Sequence, residues 1–355
     1  MKIAIRADAN EHIGTGHVMR TLALAESMTA ADFELHFLYS ECNEKLLQRW
    51  RHLDIQIQHI EKIPGFIDDA KVLRDYASDK IVDWVIVDGH HFGDTYQRIL
   101  SEGGFKLASI DDYGHCQQNV SDLLINQNAN ASETMYSSRK DTCKLLLGPE
   151  YAILRQEFRI SDIRSKEIKL PPENLLITTG GADPHCASVL ILKSILSSTV
   201  PWAFNVRVIA GSLNPNLETL KELASQETDH HIEVFEHVND IVGHMGWADI
   251  AISGAGTTLQ ELLQQGVPTI AISLVQNQTR NAMAYARHYK ACAYFGPIEE
   301  FETGAFSTFI ESWAQDSDKL LAISQRSLNA VDGKGISRII SEMQNMGNAS
   351  NSAQS

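Results

Sequence analysis

Lys2-Ile3-Ala4-Ile5-Arg6-Ala7-Asp8 is followed, after a short polar stretch, by Gly14-Thr15-Gly16-His17-Val18-Met19-Arg20-Thr21-Leu22. The first segment is a short apolar run that ends in charge, which predicts a buried strand over Lys2–Ala7. The second opens on glycines and then sets Val18, Leu22, Ala25 and Met28 close to a 3.6-residue period, which predicts a helix over Gly16–Met28. A strand, a glycine turn and a helix in that order begin a βαβ unit. Open parallel sheets bind ligands beyond the carboxyl ends of their strands. Gly14, Gly16 and His17 are therefore expected at a ligand edge, where glycine lets backbone come close. Gly14-Thr15-Gly16 lacks the third glycine of a dinucleotide fingerprint. A neutral histidine at the positive end of a helix can take up a proton as a general base. The alternative is that His17 merely packs the turn.

The same alternation continues. Phe33–Tyr39, Ile55–Ile60, Trp84–Val87 and Phe105–Ile110 read as strands, with helices at Asn43–Arg51, Lys71–Ser78 and Thr95–Ser101 between them. The pattern pauses in the charged stretch that runs to Pro171-Pro172, and 156–173 reads as a linker. A second series of strands follows at Leu175–Thr179, Val206–Ala210, Ile232–Phe235, Asp249–Ser253 and Thr269–Ser273. Helices are expected at Cys186–Leu196, Asn216–Ser225, Thr257–Gln265 and Asn277–Tyr289. This divides the chain into an α/β domain over 1–155, the linker, a second α/β domain over 174–300, a helical segment over 301–345 and a disordered tail over 346–355.

Composition narrows the function. A 355-residue chain that is 43% hydrophobic and 21% charged is an ordinary globular composition. Its net charge of −15 argues against a nucleic-acid or anionic-membrane binder. Cys42, Cys116, Cys143, Cys186 and Cys292 are scattered, with no CxxC pair, as in a reduced cytoplasmic chain. Charges interrupt the N-terminal apolar run within eight residues, so no signal peptide is expected. The longest nearly apolar run, Val267–Val275, is too short to span a bilayer. No membrane partner is expected.

Two further turns resemble anion sites. The strand Leu175–Thr179 ends in Gly180-Gly181-Ala182-Asp183, whose consecutive amides ahead of a helix can cradle a diphosphate. The strand ending at Ser253 leads through Gly254-Ala255-Gly256-Thr257-Thr258 into a helix carrying Glu261. A carboxylate one turn in can accept from the two hydroxyls of a ribose, at about 1.5–3 kcal/mol for each charge-assisted bond. Gln276 and Asn277 follow the next strand and can orient a sugar or nucleotide. Each motif also has a plain structural reading: a βα turn, a charge at a helix end, a helix cap.

Arg6-Ala7-Asp8, Ile13-Gly14-Thr15-Gly16-His17-Val18-Met19-Arg20, Gly180-Gly181-Ala182-Asp183 and Gln276-Asn277-Gln278 together resemble the hydrolase family of pseudaminic acid biosynthesis, which acts on UDP-2,4-diacetamido-2,4,6-trideoxy-β-L-altropyranose. Tyr151-Ala152-Ile153-Leu154-Arg155-Gln156-Glu157-Phe158 resembles that family's stretch before the linker. The resemblance spans roughly residues 1–300. It implies a GT-B-like fold of two Rossmann-like α/β/α domains with a cleft between them, similar to MurG-type glycosyltransferases. It also implies that His17 activates a water for inverting attack on the anomeric carbon, with UDP released and neither metal nor cofactor required. Arg6, Asp8, Gly14, Gly16, Arg20, Asp88, Asp111-Asp112 and Asn128 would serve the sugar side. Gly180, Gly181, Ala182, Asp183, Val238, Ser253, Gly256, Thr257, Thr258, Glu261, Gln276 and Asn277 would hold UDP. The family carries tyrosine where Asp88-Gly89-His90-His91 places His90, so His90 is the candidate second catalytic group. The chain is expected to be a monomer or weak dimer. Three other readings compete: a glycosyltransferase that deprotonates an acceptor hydroxyl, a hydrolase of a related UDP-amino sugar, and a nucleotide-sugar sensor without turnover.

Overall fold

A computed structural model describes residues 1–10, 13–160, 168–180, 183, 185–211, 214–236 and 238–352. The chain forms two compact units, Met1–Arg159 with Gly333–Ser355, and Ile160–Asp332.

The first unit runs β1 (Lys2–Ala7), α1 (Gly16–Thr29), β2 (Glu34–Tyr39), α2 (Glu44–Arg51), β3 (Gln56–His59), α3 (Ile67–Asp79), β4 (Trp84–Asp88), α4 (Asp94–Ser101), β5 (Lys106–Ile110), β6 (Leu123–Asn126), β7 (Lys144–Leu147) and α5 (Gln156–Ile160). Its seven strands lie in the order β3-β2-β1-β4-β5-β6-β7 and pair in parallel. Strands covered on both faces by helices must be apolar throughout, and Ile3, Ala4 and Ile5 of β1 are fully buried. Helix α1 lays Val18, Leu22, Ala25 and Met28 against that sheet, all within 1% of full burial.

The second unit repeats the plan. It runs β8 (Asn174–Thr178), α6 (Ala187–Leu196), β9 (Asn205–Ile209), α7 (Leu217–Ala224), β10 (His231–Phe235), α8 (Ile241–Trp247), β11 (Ile250–Gly254), α9 (Thr257–Gln264), β12 (Thr269–Ser273), α10 (Gln276–Ala284), β13 (Ala293–Pro297), α11 (Thr303–Ala314) and α12 (Ser317–Ala330). The strand order is β10-β9-β8-β11-β12-β13. In both sheets the order reverses beside the first strand of the unit. The crevice at that reversal, beyond the carboxyl ends, is where such sheets bind ligands.

Three differences from the sequence expectation have physical causes. The helix expected over Asn277–Tyr289 breaks into α10 and a π turn at Tyr285–Tyr289. That turn keeps Tyr285 fully buried, its hydroxyl accepting from Gln260 Nε2 at 3.2 Å. The segment expected as one helical stretch over 301–345 is three helices. The first two pack on the second unit, α11 on α6 and α12 on α9. The third, α13 (Gly335–Ser352), joins the first unit because Ile336, Ile339 and Met343 recur at helical spacing and enter its core. It runs past residue 345, where order was expected to end. Of the expected linker, 161–167 lie outside the described residues. Among the described residues no helix is long and apolar enough to cross a membrane.

Candidate active site

Beyond β1, Gly14 adopts φ +77° and donates its amide to the Asn10 carbonyl at 2.9 Å. The Asn10 side chain accepts from the Ile13 amide at 2.6 Å. This tight turn delivers His17 into the first turn of α1. Residues 11–12 lie outside the described residues.

His17 Nδ1 lies 2.7 Å from Asp88 Oδ1, and its side chain is 14% exposed while that of Asp88 is fully buried. Asp88 is the last residue of β4, so the pair straddles the reversal between β1 and β4. Arg20, one turn along α1, donates from Nε to Asp88 Oδ2 at 2.9 Å and from Nη2 to Oδ1 at 2.6 Å. Its Nη1 donates to Asp112 Oδ1 at 2.7 Å, and Asn128 Nδ2 donates to the Asp112 carbonyl at 3.0 Å. Burial alone would raise the Asp88 pKa, but Arg20 and His17 hold it down at about 2. Asp88 is thus an ionised acceptor. It can accept a proton carried on His17 Nδ1, a nitrogen that Arg20 Nη2 also approaches at 3.4 Å.

Two of the expected sugar contacts are not at the surface. Arg6 and Asp8 are both fully buried, paired to each other at 2.6 Å. Arg6 also donates to Asp69 Oδ2 at 3.0 Å and Ser40 Oγ at 2.7 Å. Asp8 accepts the amides of Ser40 and Glu41 at 2.7 and 2.9 Å. Burying one charge without the other would be costly, so the pair forms a foundation beneath the site. Arg20 is likewise spent on Asp88 and Asp112.

His90 is exposed and its ring centroid lies 5.8 Å from that of His17. Burial, with His17, His91 and His115 nearby, lowers its pKa, so it is a neutral donor and acceptor near pH 7. Sequence reading missed His115. Its Nδ1 lies 3.1 Å from Asp111 Oδ1. Burial would lower its pKa, but Asp111 and Cys116 raise it to about 10. Asp111 also accepts the amides of Asp112, Tyr113 and Gly114. Among the described residues no group of three His, Cys, Asp or Glu side chains is disposed to hold a metal ion.

In the second unit the two glycine turns differ. After β8, Gly180 takes φ +96°, and Thr179 Oγ1 is buried without a hydrogen-bond partner among the described residues. Gly181 and Ala182 lie outside the described residues. Asp183, expected at the ligand, is instead 2% exposed and accepts the first amides of α6, Ala187 N at 2.8 Å and Ser188 N at 2.9 Å. Its carboxylate occupies the place an anion would take at that helix.

After β11, α9 begins at Gly256, a cap position whose residue makes no side-chain cap. Gly256, Thr257 and Thr258 are half-buried, and the Leu259 amide donates to the Gly256 carbonyl at 3.1 Å. Ser253, expected to contact UDP, is fully buried, its hydroxyl donating to the Gly254 carbonyl at 2.9 Å. Glu261 is 4% exposed. Helix α10 starts nearby: Gln278 Oε1 accepts Leu274 N at 3.0 Å, and Asn281 Nδ2 donates to the Ala255 carbonyl at 3.3 Å. Its first residues, Gln276 and Asn277, are exposed and also uncapped. Val238, past β10, is half-buried.

Comparison with known proteins agrees with this fold. Residues 175–297 match the glycosyltransferase family 28 C-terminal domain. The chain is 26% identical over 351 residues to the spore coat polysaccharide biosynthesis protein SpsG of Bacillus subtilis, covering 98% of each chain. It is 26% identical over 294 residues to the UDP-2,4-diacetamido-2,4,6-trideoxy-beta-L-altropyranose hydrolase of Campylobacter jejuni, covering 81% of this chain and 97% of that one. An uncharacterized protein of Methanocaldococcus jannaschii is 25% identical over 287 residues, 78% of this chain, which spans 56% of that longer protein. Among solved structures, Acinetobacter baumannii MurG superposes with a TM-score of 0.69 at 15% identity, covering 97% and 99% of the two chains. Arabidopsis thaliana UGT89C1 complexed with UDP gives 0.66 at 11% identity, covering 96% and 99%. The chain has the GT-B fold and resembles the altropyranose hydrolase.

Proposed function

We propose that this GT-B protein acts on a UDP-sugar and hydrolyses UDP-2,4-diacetamido-2,4,6-trideoxy-β-L-altropyranose, with His17 as the base. The observation that carries the proposal is the 2.7 Å contact between His17 Nδ1 and the buried carboxylate of Asp88. It leaves Nε2 as a proton acceptor at the edge where this sheet class binds ligands.

In the proposed reaction Nε2 takes a proton from water as the water oxygen bonds to the anomeric carbon. The bond from that carbon to the β-phosphate oxygen breaks, and UDP leaves with the electron pair. The anomeric centre inverts. Asp88 stays ionised and stabilises the imidazolium that forms. The first amides of α9, with Thr257 and Thr258, meet the charge that grows on the diphosphate. Gly180 and Thr179 supply a close backbone approach and an unspent hydroxyl. Gln276, Asn277 and Val238 are the remaining nucleotide-side contacts, and His90 donates to the reacting sugar. The protein is proposed to work in the cytoplasm, in surface-glycan synthesis such as flagellin glycosylation.

The match to a glycosyltransferase domain favours a second reading, in which His17 deprotonates an acceptor hydroxyl in place of water. Incubating the protein with the UDP-diacetamido sugar and no acceptor, followed by NMR, separates the two. Hydrolysis predicts UDP and free sugar in equal amounts, the inverted anomer appearing first. No UDP release without an acceptor would overturn it.

A further inference from the structure

We propose that His91 is a positioning residue: clasped to Asp8, it sets the turn after β4 so that His90 stands beside His17, an inference that rests on the base role proposed for His17. The turn leaves β4 directly from Asp88, the residue that orients His17. It is closed by the Phe92 amide, which donates to the Gly89 carbonyl at 3.1 Å.

Two glycines show how tightly the turn is set. Gly89 has φ +152°, and a Cβ there would lie 2.5 Å from His91 Cε1. The His91 ring fills the space that any side chain at 89 would need. On the other side, a Cβ on Gly65 would lie 2.4 Å from the His91 carbonyl oxygen. Gly65 is itself pinned, donating its amide to Asp69 Oδ2 at 2.9 Å.

The clasp reaches across the strand reversal. His91 Nε2 donates to Asp8 Oδ2 at 3.2 Å. Asp8 follows β1, whose Ala7 pairs in register with Asp88 of β4. Arg6 and the amides of Ser40 and Glu41 keep Asp8 an ionised, immobile acceptor. The ring also lies 4.0 Å from that of fully buried Phe92.

Packing alone does not account for a histidine at 91. Its Nδ1 is buried with no hydrogen-bond partner among the described residues, and an apolar ring would pack there without stranding a polar atom. What the imidazole adds is the donor to Asp8. The consequence is the placement of His90, whose ring stands 6.0 Å from His91 and 5.8 Å from His17. His17, His91, His115 and Asp112 are the ionisable groups around it.

The test compares His91→Phe, which keeps an aromatic ring but no donor, with His91→Gln, whose amide nitrogen can replace Nε2. Turnover of the UDP-diacetamido sugar, UDP affinity by calorimetry, thermal melting, and the pH titration of the His90 Cε1 proton by NMR are measured on the full chain. His91→Phe is expected to lower kcat by about tenfold or more, with KM and UDP affinity nearly unchanged. His91→Gln is expected to recover most of that rate. The His90 midpoint, lowered in part by His91 itself, is expected to rise in both variants and further in His91→Phe, where the placement of His90 is lost as well. A wild-type rate in His91→Phe, an equally slow His91→Gln, or equal His90 midpoints in the two variants would overturn the proposal. If the Phe variant does not fold, His91→Met makes the same comparison. If the wild type releases no UDP, the hydrolytic reading fails, while the His90 titration still decides the positioning role.

Discussion

The two sheets share one strand order yet equip their reversal points with opposite chemistry. The first unit crowds ionisable side chains there: His17, Arg20, Asp88, His90, His91 and Asp112, above the buried Arg6–Asp8 pair. The second offers glycines, hydroxyls and a helix start without a side-chain cap, and Asp183, beside its first glycine turn, is turned inward to hold α6. One edge is suited to moving a proton, which needs a tuned and oriented acid–base pair. The other is suited to holding a diphosphate by dipoles in a chain of net charge −15. In the proposed function the same topology would support two tasks, because function resides in the loops beyond the strands.

This contrast breaks most sharply at His17. His17→Ala is expected to lower turnover by about 10²–10⁴-fold, while calorimetry finds UDP affinity unchanged. Loss of UDP binding in that variant would erase the division of labour. Asp88→Asn is expected to cost about a hundredfold, because an amide in its place can donate to Nδ1 and move the His17 proton to Nε2. An unaltered kcat would remove Asp88 from the mechanism.

The second unit predicts the reverse pattern. Gly256→Asp places a good cap residue at the start of α9, where φ is −89° and a Cβ meets only the tip of Gln278 at 3.3 Å. Melting temperature should hold or rise by a degree or two, since the cap adds a few tenths of a kcal/mol. UDP affinity should fall about tenfold, because a carboxylate then occupies the anion position. Unchanged affinity would show that the diphosphate does not use α9.

A further effect, on stability against pH, belongs to the first unit. Asp88 holds its proton less tightly when folded, at about 2 against 3.8. It therefore favours the fold above pH 3.8, and that contribution fades as pH falls toward 2. His115 holds its proton more tightly, at about 10 against 6.5. Its contribution is complete below pH 6.5 and fades as pH rises toward 10. His115→Gln should flatten the alkaline limb of a denaturation series, and an unchanged limb would remove the Asp111–His115 pair as its cause.

The fold was largely legible because its strongest signals are local. The β1–α1 segment announces itself through the buried face of Val18, Leu22, Ala25 and Met28. Strands β6, β7 and β13 were missed for a physical reason. Leu123–Asn126 and Lys144–Leu147 are four residues long, and β13 carries Gly296 and Pro297. Runs of that length, or with those residues, carry little periodic signal. At the candidate site, His17, Gly256 and Asn277 were legible as residues beyond strand ends. The pairings were not: Asp88, named only as a sugar contact, is 71 residues from His17, and His91 is 83 from Asp8. Polar residues at strand ends also mislead, as Arg6, Asp8, Asp183 and Ser253 show, because sequence does not reveal which of them satisfy one another inside the protein.

Helix α13 has a consequence for how the molecule is made. Ile336, Ile339 and Met343 complete a core whose other buried residues, Ile3 to Ile153, all precede the second unit in the chain. During translation the second unit, contiguous in the chain, can close while the first still lacks part of its core. A fragment ending at Asp332 leaves the apolar surface that α13 covers open to water. The first unit is therefore completed after the second, although most of its residues precede it in the chain.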